Sequence, residues 1–199
     1  MSEWPGSWPV DIGAVEPISL PLVRSGAGFG IYALDMMGQT AWNEFAATAL
    51  KDKLAGFDFD ILLTAEAKAI GLAQELANSL GHSEYVVLRK SLKLYMPNPV
   101  SVAVQSITTT SLQHFYLGQD KLELLKGKKV CILDDVLSTG GTLRAMLQMA
   151  ERIDCQVIVI AVVLTEEVAW QEFEGVPVVS LDHIPLPAMS EQYSPAEAS

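Results

Sequence analysis

The sequence predicts an α/β fold: one open, mostly parallel sheet flanked by helices. Three observations carry that reading. Short apolar, β-branched runs at residues 61–63, 85–88, 130–133, 157–163 and 176–181 alternate with segments of helical periodicity, a pattern that buries parallel strands between helices. The run 130–133 ends in two adjacent carboxylates, then a hydroxyl- and glycine-rich turn, then Leu143, Met146, Leu147 and Ala150 at helical spacing. That is a strand buried on both faces whose carboxyl end opens into a ligand loop. At 199 residues, 50% hydrophobic and 19% charged, the chain supports one good core and is not disordered.

Element by element, residues 1–30 read as an irregular lead-in, because Trp4-Pro5, Trp8-Pro9, Pro17, Pro21 and several glycines interrupt any period. Residues 40–54 predict a helix with Trp42, Phe45, Ala46, Ala49 and Leu50 on one face. A strand at 61–63 and a loop at 64–67 lead into a second helix, with Leu72, Leu76, Ala77 and Leu80 on one side and Gly81 as its C′ residue. Residues 85–88 are strand-like. Alternating Val100, Val102 and Val104 before a Ser/Thr-rich stretch predict a hairpin over 97–117. Lys126-Gly127-Lys128 turns the chain into the strand at 130–133, and the runs 157–163 and 176–181 complete the sheet. There is no internal repeat.

Bulk properties exclude several classes. The apolar stretch 157–164 is too short to span a bilayer, and residues 1–11 lack the basic-then-apolar layout of a secretory signal. Cys131 and Cys155 lie in strand-like runs and read as buried thiols of a reducing, cytoplasmic compartment. Three scattered histidines and two cysteines show no metal-ligand spacing. A net charge of −11 argues against a nucleic-acid surface.

The chemistry concentrates in Asp134, Asp135, Ser138, Thr139, Gly140, Gly141 and Thr142. The glycines let the backbone approach an anion closely, and the helix start presents free N–H groups and a positive dipole end to phosphate oxygens. Ser138, Thr139 and Thr142 add hydroxyl donors. No lysine follows the glycines, so this is not the GxxxxGK[ST] nucleotide loop. The two acids repel a second phosphate but suit a diol or a hydrated divalent cation. One phosphate, one diol and Mg²⁺ describe a ribose 5-phosphate unit. The plainer alternative is a capped helix after a solvated turn, which the full string disfavours.

This segment resembles the ribose-phosphate signature of type I phosphoribosyltransferases, which use 5-phosphoribosyl-1-pyrophosphate (PRPP). The resemblance implies a Rossmann-like open sheet with a small hood, a PRPP site and an Mg²⁺ requirement. It assigns the ribose hydroxyls to Asp134 and Asp135, as the catalytic pair, and the 5-phosphate to residues 138–142. Glu66-Ala67-Lys68 is similar to the family's pyrophosphate loop, with Lys68 where adenine enzymes usually carry arginine and Ala69 where they carry glycine. Its plainer alternative is an exposed helix start. Arg89, Lys90 and Lys93 resemble the family's Arg-Lys-x-x-Lys pyrophosphate segment, against the alternative of a basic strand edge. Residues 97–110 correspond to the flexible catalytic loop.

For the base, the resemblance implies a hood at residues 30–35 with Ile31 and Tyr32, and Val136 stacking on the ring. Ordinary core packing is the alternative for Ile31 and Tyr32. Ser138 stands where hypoxanthine-guanine enzymes carry an acid, and no carboxylate lies between Tyr95 and Gln119. The remaining motifs look most like the adenine and xanthine branch. The expectation is a cytoplasmic, homodimeric purine phosphoribosyltransferase, adenine favoured over xanthine. It has a lead-in and part of the hood at 1–30, a core domain at 31–184 and a mobile tail at 185–199. A PRPP-binding regulator with little catalysis is the second expectation, weakened by the absence of a helix-turn-helix or basic surface.

Overall fold

The computed structural model describes residues 4–24, 30–96, 98–105 and 112–187. Strands β1 (Ser7–Val10), β2 (Ile18–Arg24) and β3 (Gly30–Tyr32) form an antiparallel three-stranded sheet in that order. The expectation of an irregular lead-in is therefore corrected over these strands. The prolines fit because Pro9 sits on an outer strand, whose free side needs no N–H. Pro21 lies where the β3 ladder ends, its carbonyl accepting from the Ala33 N–H at 3.0 Å.

The chain continues through α1 (Thr40–Leu54), β4 (Ile61–Ala65), α2 (Ile70–Leu80), β5 (Val86–Leu88), β6 (Val100–Gln105), β7 (Leu112–Leu117) and α3 (Gln119–Leu125). It ends with β8 (Lys129–Leu137), α4 (Gly141–Arg152), β9 (Gln156–Glu166), β10 (Glu172–Phe173) and β11 (Val176–Ile184). Gly81 closes α2 at φ +75°, the left-handed cap read from its position. Helix α3 and the two-residue β10 were not foreseen.

The central sheet has order β10-β11-β9-β8-β4-β5 and is parallel except for β10. One core packs α1, α2 and the first sheet against Cys131, Leu133, Val159 and Ala161. The other packs α3, α4 and the β6–β7 hairpin against Val130, Ile132, Ile160 and Val162. Alternate residues of β8 thus serve opposite cores, as a doubly covered strand requires.

Cys131 is buried, and desolvation pushes its thiol far up. Cys155 instead sits just before β9, half-buried, its thiol pushed up to about 11 by burial and by Asp154. Among the described residues, no helix is long and apolar enough to cross a membrane. The turn of the predicted hairpin and catalytic loop (106–111), Pro97 and tail residues 188–199 lie outside the described residues. Residues 98–105 of that loop form β6 and its approach.

Candidate active site

The order β5-β4-β8-β9 sets up a crevice. From β4 the chain crosses through α2 outward to β5, and from β8 it crosses through α4 the opposite way to β9. Strands β4 and β8 therefore flank the topological switch point, where open α/β sheets bind ligands. Pairing between them ends at Thr64↔Leu133, whereas β8 continues beside β9 to Leu137↔Thr165. Past Thr64, the β4 chain leans toward β5, its Glu66 N–H donating to the Leu88 carbonyl at 3.0 Å. Asp134, Asp135 and Val136 thus lose their β4 neighbour and line a gap between two strands.

Asp135 is buried and Asp134 half-buried. Burial, then the neighbouring Asp135 charge, hold the Asp134 carboxyl well above the usual carboxylate range. The Asp135 N–H, 3.0 Å from Asp134 Oδ1, and the positive charge of Lys90 act the other way. Across the gap, Lys68 Nζ lies 3.7 Å from Asp135 Oδ2 and donates to the Leu34 carbonyl at 3.3 Å. Lys68 joins three parts: the loop after β4, the acids of β8 and the chain leaving the first sheet.

The glycine turn follows directly. Gly140 takes φ +79° as the residue before α4. A Cβ there would sit 2.2 Å from Phe173 Cζ, so both conformation and space demand glycine. No side chain caps α4, which leaves its first N–H groups directed at the space beyond β8. Ser138, Gly141 and Thr142 are half-buried and Thr139 is exposed. Arg144 donates from Nη1 to the Thr139 carbonyl at 2.9 Å and from Nε to Glu174 Oε1 at 2.6 Å.

The loops after β4 and β5 interlock. Glu66 forms an ion pair with Arg89, Oε1 to Nε 2.6 Å, and accepts from the Lys90 N–H at 2.7 Å. Arg89 is also bonded through its backbone to Tyr116 in both directions, at 3.0 and 2.8 Å. It therefore pins the β6–β7 hairpin to the sheet edge. Ala67 is exposed at the loop's crest. Lys90 is exposed, and Lys93 points to Ser91 Oγ at 2.7 Å.

The structure brings Glu66, Lys68, Arg89, Lys90, Asp134, Asp135 and residues 138–142 to the carboxyl ends of β5, β4 and β8. Tyr32 does not join them. Its ring is buried against Trp8, with centroids 5.5 Å apart, and its hydroxyl donates to the Pro5 carbonyl at 3.0 Å. The predicted base contact is corrected to core packing, because an enclosed ring has no face to offer. Ile31 and Val136 are half-buried. Sequence reading missed Arg144, Phe173 and Glu174. Only the place of Arg144, in the first turn after the glycines, pointed to it.

Comparison with known proteins identifies the fold and the family. An adenine phosphoribosyltransferase of Kosmotoga olearia is 34% identical over 107 residues, 53% of this chain and 59% of that protein. A hypoxanthine/guanine phosphoribosyltransferase of Methanosphaerula palustris is 36% identical over 105 residues, 53% of each. The chain thus spans little more than half the length of these curated relatives. The crystal structure of adenine phosphoribosyltransferase from Thermoanaerobacter pseudethanolicus has the same fold, with TM-score 0.68 and 21% identity, over 82% of this chain and 95% of that one. The phosphoribosyl transferase domain profile matches residues 38–187, which takes in every strand of the crevice. On that match, this chain belongs to the phosphoribosyl transferase domain family.

Proposed function

We propose that the chain is a purine phosphoribosyltransferase that moves 5-phosphoribose from PRPP to a purine base, adenine favoured. The observation that carries the reading is the crevice between β4 and β8. There an uncapped helix start, an acid pair and the Lys68, Arg89 and Lys90 cations gather at the carboxyl ends of neighbouring strands. PRPP has that sequence of charges: phosphate, diol, pyrophosphate.

On this reading, residues 138–142 hold the 5-phosphate by backbone N–H and hydroxyl donors. Asp134 and Asp135 accept from the ribose hydroxyls and favour the positive charge that develops on the sugar. Lys68, Arg89 and Lys90 attract the pyrophosphate. A base nitrogen displaces pyrophosphate at the anomeric carbon, and much of the rate comes from positioning and charge. Ile31 and Val136 are the proposed base contacts.

Two adjacent carboxylates, one raised by burial and by the other, suit a hydrated divalent cation. Among the described residues, no group of three or more His, Cys, Asp or Glu forms a cage of its own. Mg²⁺ would therefore be held jointly by PRPP and, through water, by Asp134 and Asp135. Its chemistry there is to neutralise the leaving pyrophosphate. The proposal includes a cytoplasmic homodimer, which light scattering of the purified chain tests.

The experiment is incubation with PRPP, Mg²⁺ and adenine, hypoxanthine, guanine or xanthine in turn, following pyrophosphate release. Release with adenine supports the reading. Release only with an oxopurine would replace adenine as the acceptor, in line with the name of the Methanosphaerula relative. PRPP binding with no release from any base would replace the enzyme with a PRPP-responsive regulator.

A further inference from the structure

The phosphate turn is braced by residues outside the proposed ligand contacts. Peptide groups are planar and trans, so a carbonyl and the following N–H point in opposite directions. The Thr139 carbonyl is held by Arg144 Nη1 at 2.9 Å, and this turns the Gly140 N–H the other way. That N–H has no backbone partner among the described residues. Arg144 is itself fixed twice. Glu174 Oε1 holds its Nε at 2.6 Å, and its guanidinium lies 5.1 Å from the Phe173 ring centroid. The same ring backs Gly140 so closely that a Cβ would overlap it. Phe173 is buried and backed in turn by Trp170, edge to face at 5.4 Å.

We propose that Arg144, Phe173 and Glu174 form a positioning brace that sets the Thr139–Gly140 peptide for the 5-phosphate of a phosphoribosyl ligand. The inference rests on the PRPP reading and deepens it. Glu174 carries the discriminating weight. It bonds to no residue of the phosphate turn, yet it fixes the guanidinium that does. Arg144 and Glu174 are each about half exposed, with side-chain exposures of 47% and 48%. Exposed ion pairs contribute little to folding, so their purpose lies in geometry.

The test compares the unaltered chain with Arg144→Met and Glu174→Gln, titrated with ribose 5-phosphate and separately with inorganic pyrophosphate, beside thermal unfolding. The expected result is ribose 5-phosphate affinity about tenfold weaker in both variants, the scale of one lost charge-assisted bond. Pyrophosphate affinity and melting temperature stay unchanged. In steady state, KM for PRPP rises while kcat holds. Unchanged ribose 5-phosphate affinity in both variants overturns the brace. So does an equal loss of both ligands, which would mark a merely structural role. If the unaltered protein binds no ribose 5-phosphate, the PRPP reading falls first and the brace with it.

Discussion

Glu66 Oε1 lies 2.6 Å from Arg89 Nε, and its other oxygen accepts from the Lys90 N–H at 2.7 Å. One carboxylate therefore ties together the two loops proposed to hold pyrophosphate. On the proposed reading, Glu66 positions the Arg89 cation that attracts the pyrophosphate. In Glu66→Gln, KM for PRPP should rise about tenfold, because a bond to a charged group is lost and Arg89 is freed. Affinity for ribose 5-phosphate should stay the same, and titration with each ligand separates the two.

Asp134 and Asp135 should be indispensable for turnover. The double Asp→Asn variant is expected to lose at least about a hundredfold in kcat/KM, in line with the removal of preorganised charge from a site. Circular dichroism should report an unchanged fold. Full activity would remove both residues from the mechanism.

Stability should move the other way at Asp134. Its folded-state carboxyl is raised above the unfolded value, so the native state holds the proton more tightly. Stability then falls as pH climbs from about 4, the ordinary carboxylate value, toward the folded value. Asp134→Asn removes that penalty. Its melting temperature should exceed that of the unaltered protein at pH 7, with the gap closing near pH 4. A variant less stable at every pH would show that the carboxylate is structurally required.

Gly140→Ala should cost roughly 3 kcal/mol, combining a positive φ with overlap against Phe173. The cost should shrink in a Phe173→Ala background, where the ring is gone and only the backbone strain persists. Denaturant unfolding of the two single variants and the double variant measures that coupling.

Tyr32→Phe should lose about 1 kcal/mol with the bond to the Pro5 carbonyl. It should leave KM for the base unchanged, since the ring is enclosed. A large shift in base KM would return Tyr32 to the binding site.

What the sequence disclosed follows how local the signal was. Helix α1 and strand β8 announce themselves through period and apolar runs within a dozen residues, and the turn at 138–142 through its composition. Strands β1 and β2 were hidden because prolines mask strand patterning, although an outer edge and a ladder end accommodate them. Helix α3 has only seven residues, Gln119–Leu125, and fully buries one of them, too little for a period to show. The Glu66–Arg89 pair was legible as two charges but not as a pair, since the contact exists only because β4 and β5 are neighbours. The brace from Arg144 to Glu174 spans thirty residues and runs through a two-residue strand that carries no pattern.

The opening beyond Thr64↔Leu133 also bears on cooperativity. Above that point, the half of the sheet carrying β4 and β5 and the half carrying β8 and β9 are linked across the gap by the long Lys68–Asp135 contact. A ligand bridging the gap fastens both halves and binds only where both are folded, so its binding free energy adds to the stability of each. Amide hydrogens of α2 and α4 should then slow their exchange in parallel as PRPP is added, as if a rivet had been set through two plates.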